Sequence, residues 1–127
     1  MAYVHIVTLL AVLQFIAFGF RVARARSRFG VAAPAVTGNP VFERHFRVQQ
    51  NTLEQLIGLL PGMYLFSIYY NPLWAAALGV IYLAGREVYA FTYVRDPRKR
   101  GPGFAMTILP LAALLLAALV GAVRSVI

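Results

Sequence analysis

The sequence predicts an all-α integral membrane protein, a bundle of four transmembrane helices, and three observations carry that prediction. Of its 127 residues, 61% are hydrophobic, and the mean hydropathy is +0.71. A soluble domain averages about 45–50% apolar residues, and a fold of this size buries only about two-thirds of the surface its chain exposes, so lipid must cover the rest. Second, four apolar stretches, roughly Ala2 to Phe20, Leu53 to Tyr70, Leu73 to Tyr93 and Phe104 to Val123, each approach the ~20 residues a helix needs to cross ~30 Å of hydrocarbon. Third, the strong turn signals fall between these stretches.

A single domain over 1–127 follows, with helices expected at about 2–27, 40–70, 73–95 and 104–126. The first stretch is read as a span and not as a removable leader: it lacks a basic region before it, and basic residues follow where small ones would mark cleavage. Asn39-Pro40 and Asn71-Pro72 pair a good N-cap with a residue suited to the first helical position. Helix 2 therefore starts well before its apolar part and protrudes from the bilayer, while helices 2 and 3 form a tight antiparallel hairpin. Asp96 to Gly103 reads as a loop. Gly58, Pro61, Gly62 and Pro110 are expected kinks within helices 2 and 4.

The net charge of +8 is unevenly placed. Arg21, Arg24, Arg26, Arg28, Arg44 and Arg47 flank loop 1, and Arg95, Arg98, Lys99 and Arg100 flank loop 3, ten of the twelve basic residues. Four spans put both loops on one side. Positive charge favours the cytoplasm, so both termini are expected on the opposite side. Basic residues beside hydrophobic spans, without a basic soluble domain, argue against a nucleic-acid partner; anchoring to anionic lipid explains some of them. There are no cysteines, which excludes disulfides, thiolate metal sites and a cysteine nucleophile. Two distant histidines and four carboxylates make no metal site.

Charged and polar side chains within spans are functional hypotheses by default. In helix 2, Arg47, Asn51 and Glu54 fall within about 60° of one another at 100° per residue. In helix 3, Tyr82, Arg86, Tyr89 and Tyr93 are spaced 4, 3 and 4 and share a face. Antiparallel packing sets the two stripes at similar depth and predicts a pocket opening toward the cytoplasm. Guanidinium forks match carboxylates or phosphates, and a carboxylate among them suits an amine. A small zwitterion with surplus negative charge is complementary, and glutathione fits that description. The alternative is architectural: Arg47–Glu54 and Arg86–Glu87 ion pairs holding the bundle, and tyrosines forming an interfacial belt, the preferred reading for Tyr69, Tyr70 and Trp74.

Phe42-Glu43-Arg44-His45-Phe46-Arg47-Val48-Gln49-Gln50-Asn51-Thr52-Leu53-Glu54 resembles the signature opening helix 2 in the MAPEG family, the membrane-associated proteins in eicosanoid and glutathione metabolism. Asn71-Pro72 through Gly85-Arg86-Glu87-Val88-Tyr89-Ala90-Phe91-Thr92-Tyr93 is similar to its third helix, and Arg98-Lys99-Arg100-Gly101 to its following loop. The resemblance spans nearly the whole chain and is nearest the microsomal glutathione transferase and leukotriene C4 synthase branch.

That resemblance implies a homotrimer with glutathione bound between adjacent subunits. By motif position, Arg47, Gln49, Asn51 and Glu54 would bind it from helix 2, Arg86, Tyr89 and Tyr93 from helix 3, and Arg26 from the end of helix 1. Arg100 would be the catalytic residue, stabilising the thiolate, with Arg98 or Lys99 as alternatives within the same basic run. The implied reaction joins the thiolate to a lipophilic electrophile, or reduces a lipid hydroperoxide at the expense of glutathione. A non-catalytic lipid- or glutathione-binding accessory protein is the alternative. Ser27, Gln55 and Ile57 depart from residues found in some relatives, which argues against leukotriene-forming specificity. A bacterial inner membrane is the expected location.

Overall fold

The computed structural model describes all residues from Met1 to Ile127. It contains four α-helices and no strand: α1 (Ala2–Phe29), α2 (Pro40–Tyr69), α3 (Pro72–Arg95) and α4 (Gly101–Arg124), with a short 3-10 turn at Pro97–Lys99. At 1.5 Å per residue α1 and α2 are about 42 and 45 Å long, so both outreach a hydrocarbon layer of about 30 Å.

Local chemistry sets the helix ends. Gly30 closes α1 in the left-handed region at φ 68°, its N–H bonded to the Arg26 carbonyl, a conformation that glycine adopts without the steric cost of a Cβ. The Asn39 side chain accepts from the N–H groups of Val41 and Phe42 at 2.9 and 3.1 Å, and that of Asn71 accepts from Leu73 at 2.9 Å. The third helix starts at Pro72, one residue before the position expected from sequence. The fourth differs more, starting at Gly101 where the sequence suggested Phe104. Pro102 sits in its first turn, where the missing N–H costs nothing, so Gly101 to Gly103 are helical and not loop. Both α2 and α4 continue through Pro61 and Pro110.

Buried positions in α1 are Val4, Val7, Ala11, Phe18, Val22 and Ala25. Steps of three, four and seven are the heptad seam of a near-parallel bundle. Gln14 occupies the seam position between Ala11 and Phe18. The first half of the seam joins one core with Leu56, Leu59 and Met63 of α2 and Ala75 and Tyr82 of α3, and α4 adds Leu114 to the same core. Helices α3 and α4 approach closely: a Cβ on Gly103 would lie 2.5 Å from the Tyr89 backbone nitrogen, and one on Gly85 would lie 2.6 Å from Met106 Cβ. Small residues at such crossings are how membrane helices bring backbones together.

The outside is as apolar as the inside. Only 31 of 127 residues are buried, while Leu9, Leu13 and Phe20 of α1 and Leu109, Leu116 and Leu119 of α4 stand exposed. Water-soluble monomers rarely expose apolar patches beyond a few hundred Å². Both α1 and α4 are long and apolar enough to cross a membrane; α2 and α3 carry the polar stripes.

Candidate functional site

The two stripes meet at one contact. Arg86 is fully buried, and both of its terminal nitrogens donate to Asn51 Oδ1, each at 2.9 Å. Its guanidinium carbon lies 4.3 Å from the Tyr89 ring centroid, a cation–π geometry. Arg86 Nε has no partner. A buried cation matched by one neutral amide and an aromatic face is under-compensated, because burying a charge costs several kcal/mol unless it is paired. The Arg86–Glu87 ion pair of the architectural alternative does not form: Glu87 turns to α1 and meets Arg21 at 3.1 Å. Nor do the stripes enclose a cavity between them, since Asn51 and Arg86 close directly on each other.

Around this clamp lie the remaining polar groups of the same corner. Arg47 and Glu54 are both exposed and 3.6 Å apart, a surface pair worth about 0–1 kcal/mol, so both side chains stay available to another ligand. Tyr93 stacks on Tyr89 with centroids 5.4 Å apart and planes 11° apart. Tyr89 in turn lies 6.4 Å from Phe104 in the first turn of α4. Arg47 and Tyr93 line an open groove of about 480 Å³ together with Arg44, Phe46 and Pro97. Arg100 is exposed immediately before α4. Of its basic neighbours, Arg98 is tied to Asp96 at 3.2 Å, whose carboxyl is held below the usual range by that hydrogen bond. Lys99 and Arg100 have no such tie.

Two of the sequence-selected residues lie elsewhere. Gln49 points to α1, its amide nitrogen 2.8 Å from where a Cβ on Gly19 would stand. That face is about 140–160° around α2 from Arg47 and Glu54. Arg26 donates to the carbonyls of Ala35 at 2.6 Å and Val31 at 3.4 Å, and stacks 4.7 Å over Phe42. Within one chain, Asn51, Arg86, Tyr89 and Tyr93 therefore converge, with Arg47 and Glu54 beside them, while Gln49 and Arg26 lie on the other flank of α2.

A second polar network escaped the sequence reading. Gln14 donates to the Leu83 carbonyl at 2.9 Å and to Glu87 at 3.4 Å, and Arg21 completes it. The available signal was the spacing of Gln14 and Arg21, seven apart on the α1 seam. Near its upper end, His45 is half-buried, and burial, aided by the Arg21 charge, pushes its pKa below the ordinary value.

Known proteins share this sequence. The chain matches the MAPEG family over residues 4–120. It is 46% identical over 114 residues to an uncharacterized protein of Synechocystis, covering 90% of this chain and 83% of that one. It is 36% identical over 119 residues to human microsomal glutathione S-transferase 2, covering 94% and 81%. Guinea pig (Cavia porcellus) leukotriene C4 synthase is 37% identical over 94 residues, covering 74% of this chain and 63% of the synthase. With a family match over almost its whole length and a surface built for lipid, the chain is a membrane protein of the MAPEG family, in the branch of microsomal glutathione S-transferase 2 and leukotriene C4 synthase.

Proposed function

We propose that this protein is a membrane-bound glutathione transferase that crosses the bilayer four times and works as a homotrimer, with lipophilic electrophiles or lipid hydroperoxides as second substrates. The observation that carries the reading is the buried Arg86, held by Asn51 beside an exposed, weakly paired Arg47 and Glu54. A structural ion pair would bring a carboxylate to Arg86; a binding site keeps its cation for a ligand. The chemistry of glutathione suits this corner. One of its carboxylates accepts from the exposed Arg47 guanidinium, its ammonium pairs with Glu54, and Arg86 joins only by giving up its contact with Asn51.

The placement of Gln49 and Arg26 on the far flank of α2 supports a site shared between copies: a neighbouring chain presenting that flank would add an amide and a guanidinium to the Asn51 corner. Arg100 supplies the chemistry. A fixed cation beside a thiol favours the thiolate, the nucleophilic form of a group whose free pKa is ~8.5. The thiolate sulfur then attacks an electrophilic carbon, a carbon–sulfur bond forms, and the displaced electron pair leaves with the departing group. The tie of Arg98 to Asp96 favours Arg100 over Arg98 for this role. The basic loops orient the site toward the cytoplasm of a bacterial inner membrane.

The test is titration of detergent-purified protein with glutathione at neutral pH, following thiolate absorbance in the ultraviolet. A saturable thiolate signal is expected. Binding without thiolate would assign the chain to the accessory, non-catalytic class, and absence of binding would make the Arg86 clamp a purely architectural contact.

A further inference from the structure

The flank formed by α1 and α3 carries a second polar site that the reaction does not use. A groove of about 320 Å³ opens there, floored by Phe18, Phe91 and Val94 and rimmed by Arg21, His45, Glu87 and Arg95. A second groove of about 290 Å³ shares Arg21 and His45 and continues along α1 past Arg24 and Arg28. Four guanidinium groups and one carboxylate thus line the two adjoining grooves. Of the four, only Arg21 has an ion-pair partner, Glu87 at 3.1 Å; the chain's other two ion pairs are Arg47–Glu54 and Arg98–Asp96. Two of the cations are laid on the aromatic floor, Arg21 at 4.9 Å over Phe18 and Arg95 at 4.2 Å over Phe91.

Depth is the second argument. Arg21 follows the apolar run of α1 directly, and Arg95 is the last residue of α3. In a chain whose apolar runs span the bilayer, these two mark the level where hydrocarbon gives way to headgroups. Below them the flank is apolar except where Gln14 and Glu87 meet; above them it is cationic. A soluble anion would find the aromatic floor useless, whereas an amphiphile meets both halves.

We propose that this groove seats an anionic phospholipid, with phosphatidylglycerol as the probe. The phosphate accepts from Arg95 and Arg24, exchanging weak surface contacts for charge-assisted ones. The glycerol backbone and the first methylenes cover Phe18, Phe91 and Val94. Glu87 stays tied to Arg21 on the hydrocarbon side of the headgroup level, which leaves Arg95 and Arg24 as the cations free of an ion pair for the phosphate. His45, kept neutral by burial and by Arg21, supplies an N–H without adding charge. The proposal rests on the four-span reading but not on glutathione chemistry.

The experiment is native mass spectrometry of the full-length protein in uncharged detergent, titrated with phosphatidylglycerol, phosphatidylcholine and phosphatidylserine. Retention of phosphatidylglycerol and phosphatidylserine over phosphatidylcholine is expected. An arginine at an anionic membrane surface contributes about 1 kcal/mol, so Arg95→Gln and Arg24→Gln should each weaken that retention roughly fivefold. Phosphatidylcholine retention and glutathione binding should stay as in the parent. Neither variant breaks an ion pair. Equal retention of all three lipids, or unchanged phosphatidylglycerol retention in both variants, would overturn the site. Inorganic phosphate in excess should fail to displace the lipid, and complete displacement would overturn the assignment to a phospholipid.

Discussion

Two neighbours on α3 meet opposite fates. Arg86 is fully buried and answered by a neutral amide and a phenol ring; Glu87, about 100° further round the helix, is half exposed and answered by an opposite charge. Conventional accounting would have reversed the assignment, putting the ion pair inside and the amide at the surface. The exposed pair is worth about 0–1 kcal/mol, so it can be broken cheaply. The buried cation depends on one oxygen atom, Asn51 Oδ1. Stability at the α2–α3 contact is thus bound up with the candidate site, whereas at the α1–α3 contact it is not.

The largest effect is expected where that dependence is cut. Asn51→Ala removes the only hydrogen-bond acceptor of Arg86 and should destabilise the protein by about 3 kcal/mol, the usual scale for leaving a buried charge alone. Thermal unfolding in detergent gives the value, and glutathione binding should be lost with it. Pairing Asn51→Leu with Arg86→Met restores an apolar match and should recover most of the stability without recovering binding. If the double variant is no more stable than the single one, Arg86 is not a charge in need of a partner.

Next in size is Arg100→Ala. Arg100 is exposed and makes no ion pair, so stability should not change. The thiolate fraction of bound glutathione at neutral pH should fall roughly tenfold, the lower end of what a neighbouring cation does to a thiol, while binding itself is kept. The ultraviolet titration separates the two quantities, and equal loss of binding and thiolate would make Arg100 a binding group only. A smaller effect belongs to the exposed side of the comparison: Glu87→Gln should cost less than about 1 kcal/mol, and salt should reduce even that.

How much of this was legible beforehand also divides along the same line. The spacing of Arg47, Asn51 and Glu54, and of Tyr82 through Tyr93, marks one face on each helix, because residues three and four apart lie side by side on any α-helix. Asn39 and Asn71 before proline give two helix starts to within a residue. What spacing cannot give is distance across the gap. Whether Asn51 and Arg86 enclose a ligand or touch each other depends on how closely the helices pack, which the spacing along one helix does not encode. The start of α4 was misplaced for a related reason: Gly101-Pro102-Gly103 is loop chemistry locally, yet proline fits a first helical turn, and Gly103 lets that turn lie against the Tyr89 backbone. Gln14 reads in the sequence only as an interruption of the first apolar stretch, because one amide there shows no partner until Leu83 and Glu87 arrive from α3.

The smallest effect sharpens the comparison through pH. His45 rims the α1–α3 groove with Arg21, Glu87 and Arg95, and its pKa in the folded protein lies below the ordinary 6.5, through burial first and the Arg21 charge second. The unfolded chain therefore binds the His45 proton at a higher pH than the folded one. Stability from this residue is fully present above pH 6.5 and declines as pH falls from there toward the lowered folded value. His45→Gln should flatten that decline between pH 7 and 5 and leave stability above it unchanged. The buried corner has no counterpart, since Asn51 does not titrate. If the acid-side decline persists in full in the variant, it originates outside the α1–α3 groove; the Asp96–Arg98 pair does not account for it, because a carboxyl held below its usual range keeps its contribution through that window and loses it only at lower pH.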